Sequence, residues 1–262
     1  SRWFDLAQRE LEPHGFRIGT GTNAYFTELN RQRPPRHAIA CYSLNPQVHT
    51  FDDLSVVETL EAQPVTVASA RQFCDRELII SPISLLPRFN PNATDPSEQQ
   101  EDPESTAADP RQSTLFCAAW TTGSLAHLLP LDRLESITYY ETKGPRGIMQ
   151  GQEPFPVYHV FEALAGARLL RELSISRPGL VTGFAVVNNR GGSTCLLANL
   201  TGKRQRTELH LPVSQFELLH LDETNVSKAR TGLLPPLATQ ATDAGRATLE
   251  LAPHALLRLE LP

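Results

Sequence analysis

Apolar positions fall into two regimes along the chain. Over residues 1–167, short β-type runs at 16–19, 38–44, 77–83 and 136–140 alternate with helical segments. Runs this short, rich in Ile, Leu or aromatics and closed by polar residues, suit parallel strands covered on both faces. Between the second and third runs, Thr50 and Asp53 form a capping-box-like pair ahead of Leu54, Val57 and Leu60, which share a helical face. A longer helix is predicted over 113–129, with Leu115, Phe116, Ala119, Trp120 and Leu128 turned inward. A last helix over 156–166 has Pro at its start and Gly at its end. Strand–helix alternation predicts a parallel α/β arrangement.

From about residue 168 the period shortens. Segments 171–175, 181–187, 194–200, 206–211, 216–221, 247–251 and 255–261 alternate or run apolar, separated by turns rich in Gly, Pro and Asn. That pattern predicts an antiparallel β-sandwich over 168–262. The change near 166–170 is therefore a boundary between fold classes. Residues 90–112 hold acids and prolines with almost no large apolar side chains, which reads as a long surface loop.

Composition narrows the function classes. The 262 residues carry 24 Lys+Arg against 29 Asp+Glu, a net charge of −5, which argues against general nucleic-acid backbone binding. Lys occurs only at 143, 203 and 228, so Arg dominates the cations without marking a basic patch. No apolar run approaches the roughly 20 residues that span a bilayer. Cys41, Cys74, Cys117 and Cys195 form no C-x-x-C pair and sit beside apolar residues, which reads as four structural thiols in a reducing compartment. The sequons at Asn92, Asn199 and Asn225 read as chance. The chain opens on Ser-Arg-Trp-Phe without a starting Met, as a segment of something longer would.

In parallel α/β folds, ligands bind at the carboxyl ends of the strands. That rule selects Thr20-Gly21-Thr22-Asn23 with Tyr25, Glu28 and Arg31, and Asn45-Pro46-Gln47 with His49, Asp52 and Asp53. It also selects Ser81 and Ser84 with Arg88 and Asn90, and the run from Tyr139 to Lys143. Glu141, directly after an apolar run, is the sharpest candidate for acid, base or nucleophile. It reads equally as a rim carboxylate paired with Lys143 or Arg146. His49 is a candidate for polarising a carbonyl or moving a proton, or else a loop histidine bonded to backbone. Asn45, held extended by Pro46, points a carboxamide toward the site. Glu28 and Arg31 stand three apart on a helix, where they pair with a ligand or with each other. Asp52 and Asp53 read as helix caps. No histidine spacing indicates a metal, no G-x-S-x-G elbow indicates a serine hydrolase, and no phosphate loop is present.

Several of these segments together resemble the bacterial D-apionate lactonase family. The resemblance is carried by Thr20-Gly-Thr-Asn-Ala-Tyr-Phe-Thr-Glu-Leu-Asn-Arg-Gln-Arg-Pro34 and Tyr42-Ser-Leu-Asn-Pro-Gln-Val-His-Thr-Phe-Asp-Asp53. Ser81-Pro-Ile83, Pro87-Arg-Phe-Asn-Pro-Asn92, Asp109-Pro-Arg-Gln112, Ile137-Thr-Tyr-Tyr-Glu-Thr142 and Phe155-Pro-Val-Tyr-His159 extend it in order along the chain. The region after 168 resembles the family's C-terminal domain only in character.

The resemblance implies the C-terminal half of a (β/α)8 TIM-type barrel over 1–167, with four βα units, followed by the antiparallel β-sandwich over 168–262. It implies hydrolysis of D-apionolactone to D-apionate in apiose breakdown, in the cytoplasm, with a small sugar lactone as partner and no cofactor, metal, nucleic acid or membrane. The chemistry suits Glu141 as general base or acid, with His49 and Asn45 as oxyanion or proton-transfer groups. Asn23, Glu28, Arg31 and Tyr140 are then the substrate-binding residues. One alternative is a glycoside hydrolase using a carboxylate pair, with Glu28, Asp52 or a residue on the missing half of the barrel as the second member. Another is a non-catalytic carbohydrate-binding or interaction fragment, which the scarcity of exposed-looking aromatics in the sandwich disfavours. Four strands form an open sheet, so its edges are expected to be covered by the missing N-terminal half of the barrel or by a second chain.

Overall fold

The computed structural model describes residues 2–87, 108–188 and 191–262. Two compact units emerge: Ser1–Ala107 with Leu131–Tyr140, and Ala108–Pro130 with Glu141–Pro262. Arg88, Asn90, Asn92 and most of the loop expected over 90–112 lie outside the described residues.

The first unit is organised by a parallel sheet of β1 (Gly19–Tyr25), β2 (Ile39–Leu44), β3 (Leu78–Ile83) and β4 (Leu134–Tyr139), in that spatial order. Helix α1 (Arg2–Leu11) precedes the sheet and α2 (Phe26–Arg31) follows β1. Helices α3 (Asp53–Glu58) and α4 (Ala62–Ala70) connect β2 to β3. Tyr42, Leu78, Ile80 and Ile83 are fully buried, and Phe26 sits edge-on to Tyr42 at 5.4 Å and stacked on Phe73 at 6.4 Å. This aromatic wedge fixes α2 against the sheet.

Three local expectations are corrected. The first strand begins at Gly19 instead of ending there, while Phe16 is exposed. An outer strand made of Gly, Thr and Asn has no apolar signature to read. Leu54 is exposed, and the buried face of α3 is Val56 and Val57, continued by Leu60. Finally, β1 and β4 are largely exposed or half-buried, so coverage on both faces belongs to the inner strands. Asp52 caps α3 as expected, accepting from the Ser55 N–H at 3.0 Å.

In the second unit, α5 (Leu115–Leu128) is buried without a break from Phe116 to Leu125, so it has no polar face. It packs on the strands of a large antiparallel sheet, which is why it joins this unit and not the first. A small sheet of β5 (Glu141–Lys143), β6 (Gly147–Gln150) and β7 (Glu153–Pro154) leads to α6 (Tyr158–Leu164). The large sheet contains β8 (Leu169–Arg171), β9 (Val181–Val187) and β10 (Ser193–Asn199). It also contains β12 (Gln215–Leu221), β13 (Ala238–Ala241) and β15 (Leu256–Leu261), in the order β13-β12-β15-β10-β9-β8. A two-stranded sheet of β11 (Gln205–His210) and β14 (Arg246–Leu251) faces it, and the short α7 (Val226–Ala229) follows β12. Cys195, Leu197, Phe216, Leu251, Leu257 and Leu259 form the core, with Leu209 and Leu249 against it. The strand expected at 171–175 ends at Arg171, and β13 was not expected. Asn199 is fully buried and donates to the Lys203 and Ala252 carbonyls, so this sequon holds a core residue.

Among the described residues, no helix is long and apolar enough to cross a membrane. The four cysteines are free, and burial pushes the Cys195 thiol up to about 12.

Candidate active site

The strand ends of the first unit are built by one irregularity. The β1–β2 register shifts between Gly21 and Tyr25. Gly21 lies so close to β2 that a Cβ there would collide with the Cys41 carbonyl, so only glycine fits. Beyond the shift, the buried Ser43 hydroxyl shares its proton between the Asn23 and Ala24 carbonyls at 3.1 and 3.0 Å. The loop after β2 is tied in turn to the segment after β3, where Gln47 Nε2 donates to the Leu85 carbonyl at 2.7 Å. The carboxyl ends of three strands are thereby held in fixed relation.

Two cavities open there. One, of about 560 Å3, is lined by Thr20, Thr22, Asn23, Glu28 and Gln32. The other, of about 320 Å3, is lined by Tyr25, Phe26, Asn45, His49, Gln63 and Thr66. The structure therefore brings Asn45 and His49 together in one cavity, and Asn23 and Glu28 in the other. Asn45 Oδ1 is buried with no hydrogen-bond partner among the described residues, an unpaired acceptor on a residue that lines the cavity. Burial raises the Tyr25 hydroxyl above its ordinary value and pushes Tyr42 up to about 12, so both stay neutral donors at physiological pH. Tyr42 Oη and Thr66 Oγ1 are 2.9 Å apart.

The remaining predicted residues fall elsewhere. Arg31 is exposed and pairs with Glu28 at 2.5 Å, the mutual pairing that their spacing allowed. Tyr140 is buried, takes the left-handed φ of 49°, and donates its N–H to the Ile83 carbonyl. A non-glycine residue there is strained, and such strain recurs beside functional sites. Glu141 opens the second unit on β5. Its carboxylate meets Arg146 Nε at 3.0 Å, both side chains partly buried, so of the two expected cations Arg146 is the one engaged. The turn carrying Arg146 is positioned by the Asp109-Pro-Arg-Gln112 segment. Asp109 is held by Arg111 through two 2.8 Å contacts, and Gln112 Nε2 donates to the Gly147 carbonyl at 2.9 Å.

Gln63 and Thr66 were missed by sequence reasoning because α4 has almost no amphipathic contrast. Among the described residues, no group of three His, Cys, Asp or Glu side chains is placed to hold a metal ion.

Comparison with known proteins agrees with this architecture. The sequence profile of the D-apionate lactonase TIM barrel domain matches residues 7–168, and that of the D-apionate lactonase C-terminal immunoglobulin-like domain matches 178–259. A D-apionate lactonase from Brucella anthropi is 30% identical over 220 residues, which are 79% of this chain and 34% of that protein. The chain thus spans about a third of the curated relative it matches. Among solved structures, a GH51 arabinofuranosidase from Xanthomonas axonopodis pv. citri aligns with a TM-score of 0.61 at 13% identity, covering 93% of this chain and 57% of that one. A GH39 β-xylosidase from Caulobacter crescentus aligns with a TM-score of 0.60 at 11% identity, covering 99% and 61%. At such identities these two likenesses speak for the fold alone: a TIM barrel domain followed by an immunoglobulin-like β domain.

Proposed function

The chain belongs to the D-apionate lactonase family, and from that premise we propose that it forms part of a hydrolase that opens D-apionolactone to D-apionate in apiose breakdown. The observation that carries the site is the orphaned Asn45 carboxamide oxygen sharing a strand-end cavity with His49.

Lactone opening forms a bond from a water oxygen to the carbonyl carbon and breaks the ring C–O bond. One proton leaves the water and another reaches the departing alkoxide. Asn45 Oδ1 accepts one hydrogen of the water and aims its lone pair, while the His49 imidazole takes the other. An acceptor oxygen cannot itself stabilise an oxyanion and a carboxamide does not ionise, so in place of the oxyanion or proton-transfer role expected of Asn45 the orphaned atom favours positioning the nucleophile. Glu141, oriented by Arg146, is the acid that protonates the leaving alkoxide or the base that serves the reverse step. Asn23, Tyr140 and the Glu28–Arg31 pair hold the substrate hydroxyls.

The test is Glu141→Gln in the longer protein that contains this chain. Lactone hydrolysis should fall by about 10²–10⁴-fold in kcat/KM, and a loss of only a few-fold removes Glu141 from the mechanism. A glycoside hydrolase would need a second carboxylate. Of those considered, Glu28 is paired with Arg31 and Asp52 caps α3. Turnover of an aryl glycoside but not of a lactone would establish that alternative, and lactone binding at the strand ends without turnover would establish a non-catalytic fragment. We further propose that the open edges of the parallel sheet are covered by the rest of the barrel or by a second chain, and that the protein works in the cytoplasm, as its four free thiols suit.

A further inference from the structure

The second unit carries a cleft of about 720 Å3 on the face of its large sheet opposite the core, within the size range of small-molecule sites. Strand alternation builds it. Leu257 and Leu259 of β15 enter the core, so Arg258 and Glu260 project the other way. Glu260 stands in register opposite Thr194 on one neighbour and Glu217 on the other, and Glu217 stands opposite Thr239. The result is a row of four oxygen-bearing side chains across four strands. Glu260 accepts from Thr194 Oγ1 at 2.7 Å and from Arg258 Nε at 2.5 Å, and Glu217 Oε1 accepts from Thr239 at 2.8 Å. Among the described residues, Glu217 Oε2 and the two terminal nitrogens of Arg258 have no partner. The apolar side chains of Leu237 and Leu261 complete the lining.

We infer that this cleft binds a neutral polyhydroxylated small molecule, a sugar or polyol. Each hydroxyl of such a ligand donates one hydrogen bond and accepts others, and the cleft sets free acceptors on Glu217 beside free donors on Arg258. A cation would meet the Arg258 guanidinium between the carboxylates, and an anion would meet Glu217, Glu260 and Glu162. Hydroxyls suffer neither repulsion, and Leu237 and Leu261 offer contact for the C–H surfaces of a ring. Two carboxylates placed directly opposite one another on adjacent strands are also unfavourable for the sheet itself. The pair is therefore poorly explained as a stabilising device. The cleft lies wholly within the second unit and is independent of the lactonase reading of the strand ends.

The experiment is titration of the 262-residue chain with D-xylose, followed by saturation-transfer NMR and calorimetry, with butylamine and D-xylonate as charged controls. Saturable D-xylose binding is expected. It should weaken by about tenfold in Glu217→Gln, whose thermal midpoint is equal to or above wild type because the opposed charges are gone. It should weaken similarly in Arg258→Met and persist in Asn45→Leu, which alters only the strand-end cavity. Absence of D-xylose binding overturns the inference. So does binding that survives both cleft substitutions, or binding of butylamine or D-xylonate that D-xylose cannot displace.

Discussion

Asn45 shows how a single residue separates stability from function. Its carboxamide oxygen is buried without a partner, and leaving a buried acceptor unpaired costs about 1–3 kcal/mol. Asn45→Leu removes that penalty, so its thermal midpoint should equal or exceed that of wild type, while lactone hydrolysis by the hydrolase proposed above should fall at least about tenfold. A variant that loses stability and keeps activity would show that the carboxamide serves the fold. Asp52 makes the contrasting case. The Ser55 N–H and hydroxyl hold its carboxyl below the ordinary aspartate range. A depressed folded value means the cap stabilises above the unfolded value and loses its effect as pH falls through the folded one. Asp52→Ala should therefore melt below wild type at neutral pH, and the gap should close as the pH falls below the ordinary aspartate range. Thiol labelling reads burial directly: at mildly alkaline pH the partly exposed Cys41 should react before Cys195, whose raised value leaves almost no thiolate until the chain unfolds.

At the scale of elements, the informative cases are those where periodicity and burial disagree. Helix α5 has Thr121, Thr122 and Ser124 fully buried beside Trp120, so its sequence looks mixed while nearly the whole helix is buried. The polar members survive there because a hydroxyl can bond back to its own helix, as Thr122 does to the Ala118 carbonyl at 2.8 Å. Trp120→Ala should destabilise the protein by about 3–5 kcal/mol in chemical denaturation, the largest loss expected from truncating one side chain of this helix. In β9, Gly183 sits where a Cβ would collide with the Leu196 carbonyl and the Leu197 side chain. Gly183→Ala should lose about 2–3 kcal/mol by overpacking, read from the same denaturation curves. The strand ends tell a related story. Asp52 was legible as a cap because an acid at an N-cap answers to local backbone donors alone. The position of β1 was not, because its Gly, Thr and Asn residues are specified by a neighbouring strand and not by their own pattern.

At the scale of the molecule, two sheets of opposite character dominate. The large antiparallel sheet ends in the short strands β8 and β13, of three and four residues, which is one way that natural sheets protect their edges. The parallel sheet ends in β1 and β4, of seven and six residues, and among the described residues nothing pairs with their outer edges. Unpaired strand edges are adhesive, so the 262-residue chain should run above monomer size in light scattering, and co-expression with the N-terminal part of a D-apionate lactonase barrel should return it to a single defined species. A strictly monomeric chain at high concentration would argue that the edges are shielded some other way.

By itself the sequence determined the order of fold classes, the inner parallel strands, most of the sandwich strands and the family, because these rest on local runs, turn residues and contiguous motifs. It also marked Asn45, His49, Asn23 and Glu28 as strand-end residues, since that rule needs only the end of an apolar run. Tertiary structure alone decided which of them share a cavity, that Arg31 turns to Glu28, that Arg146 and not Lys143 meets Glu141, and that Glu217 faces Glu260. Each of those facts depends on register or on which of two reachable partners a side chain meets. Both are set by the packing of segments distant in sequence, and no local pattern records them.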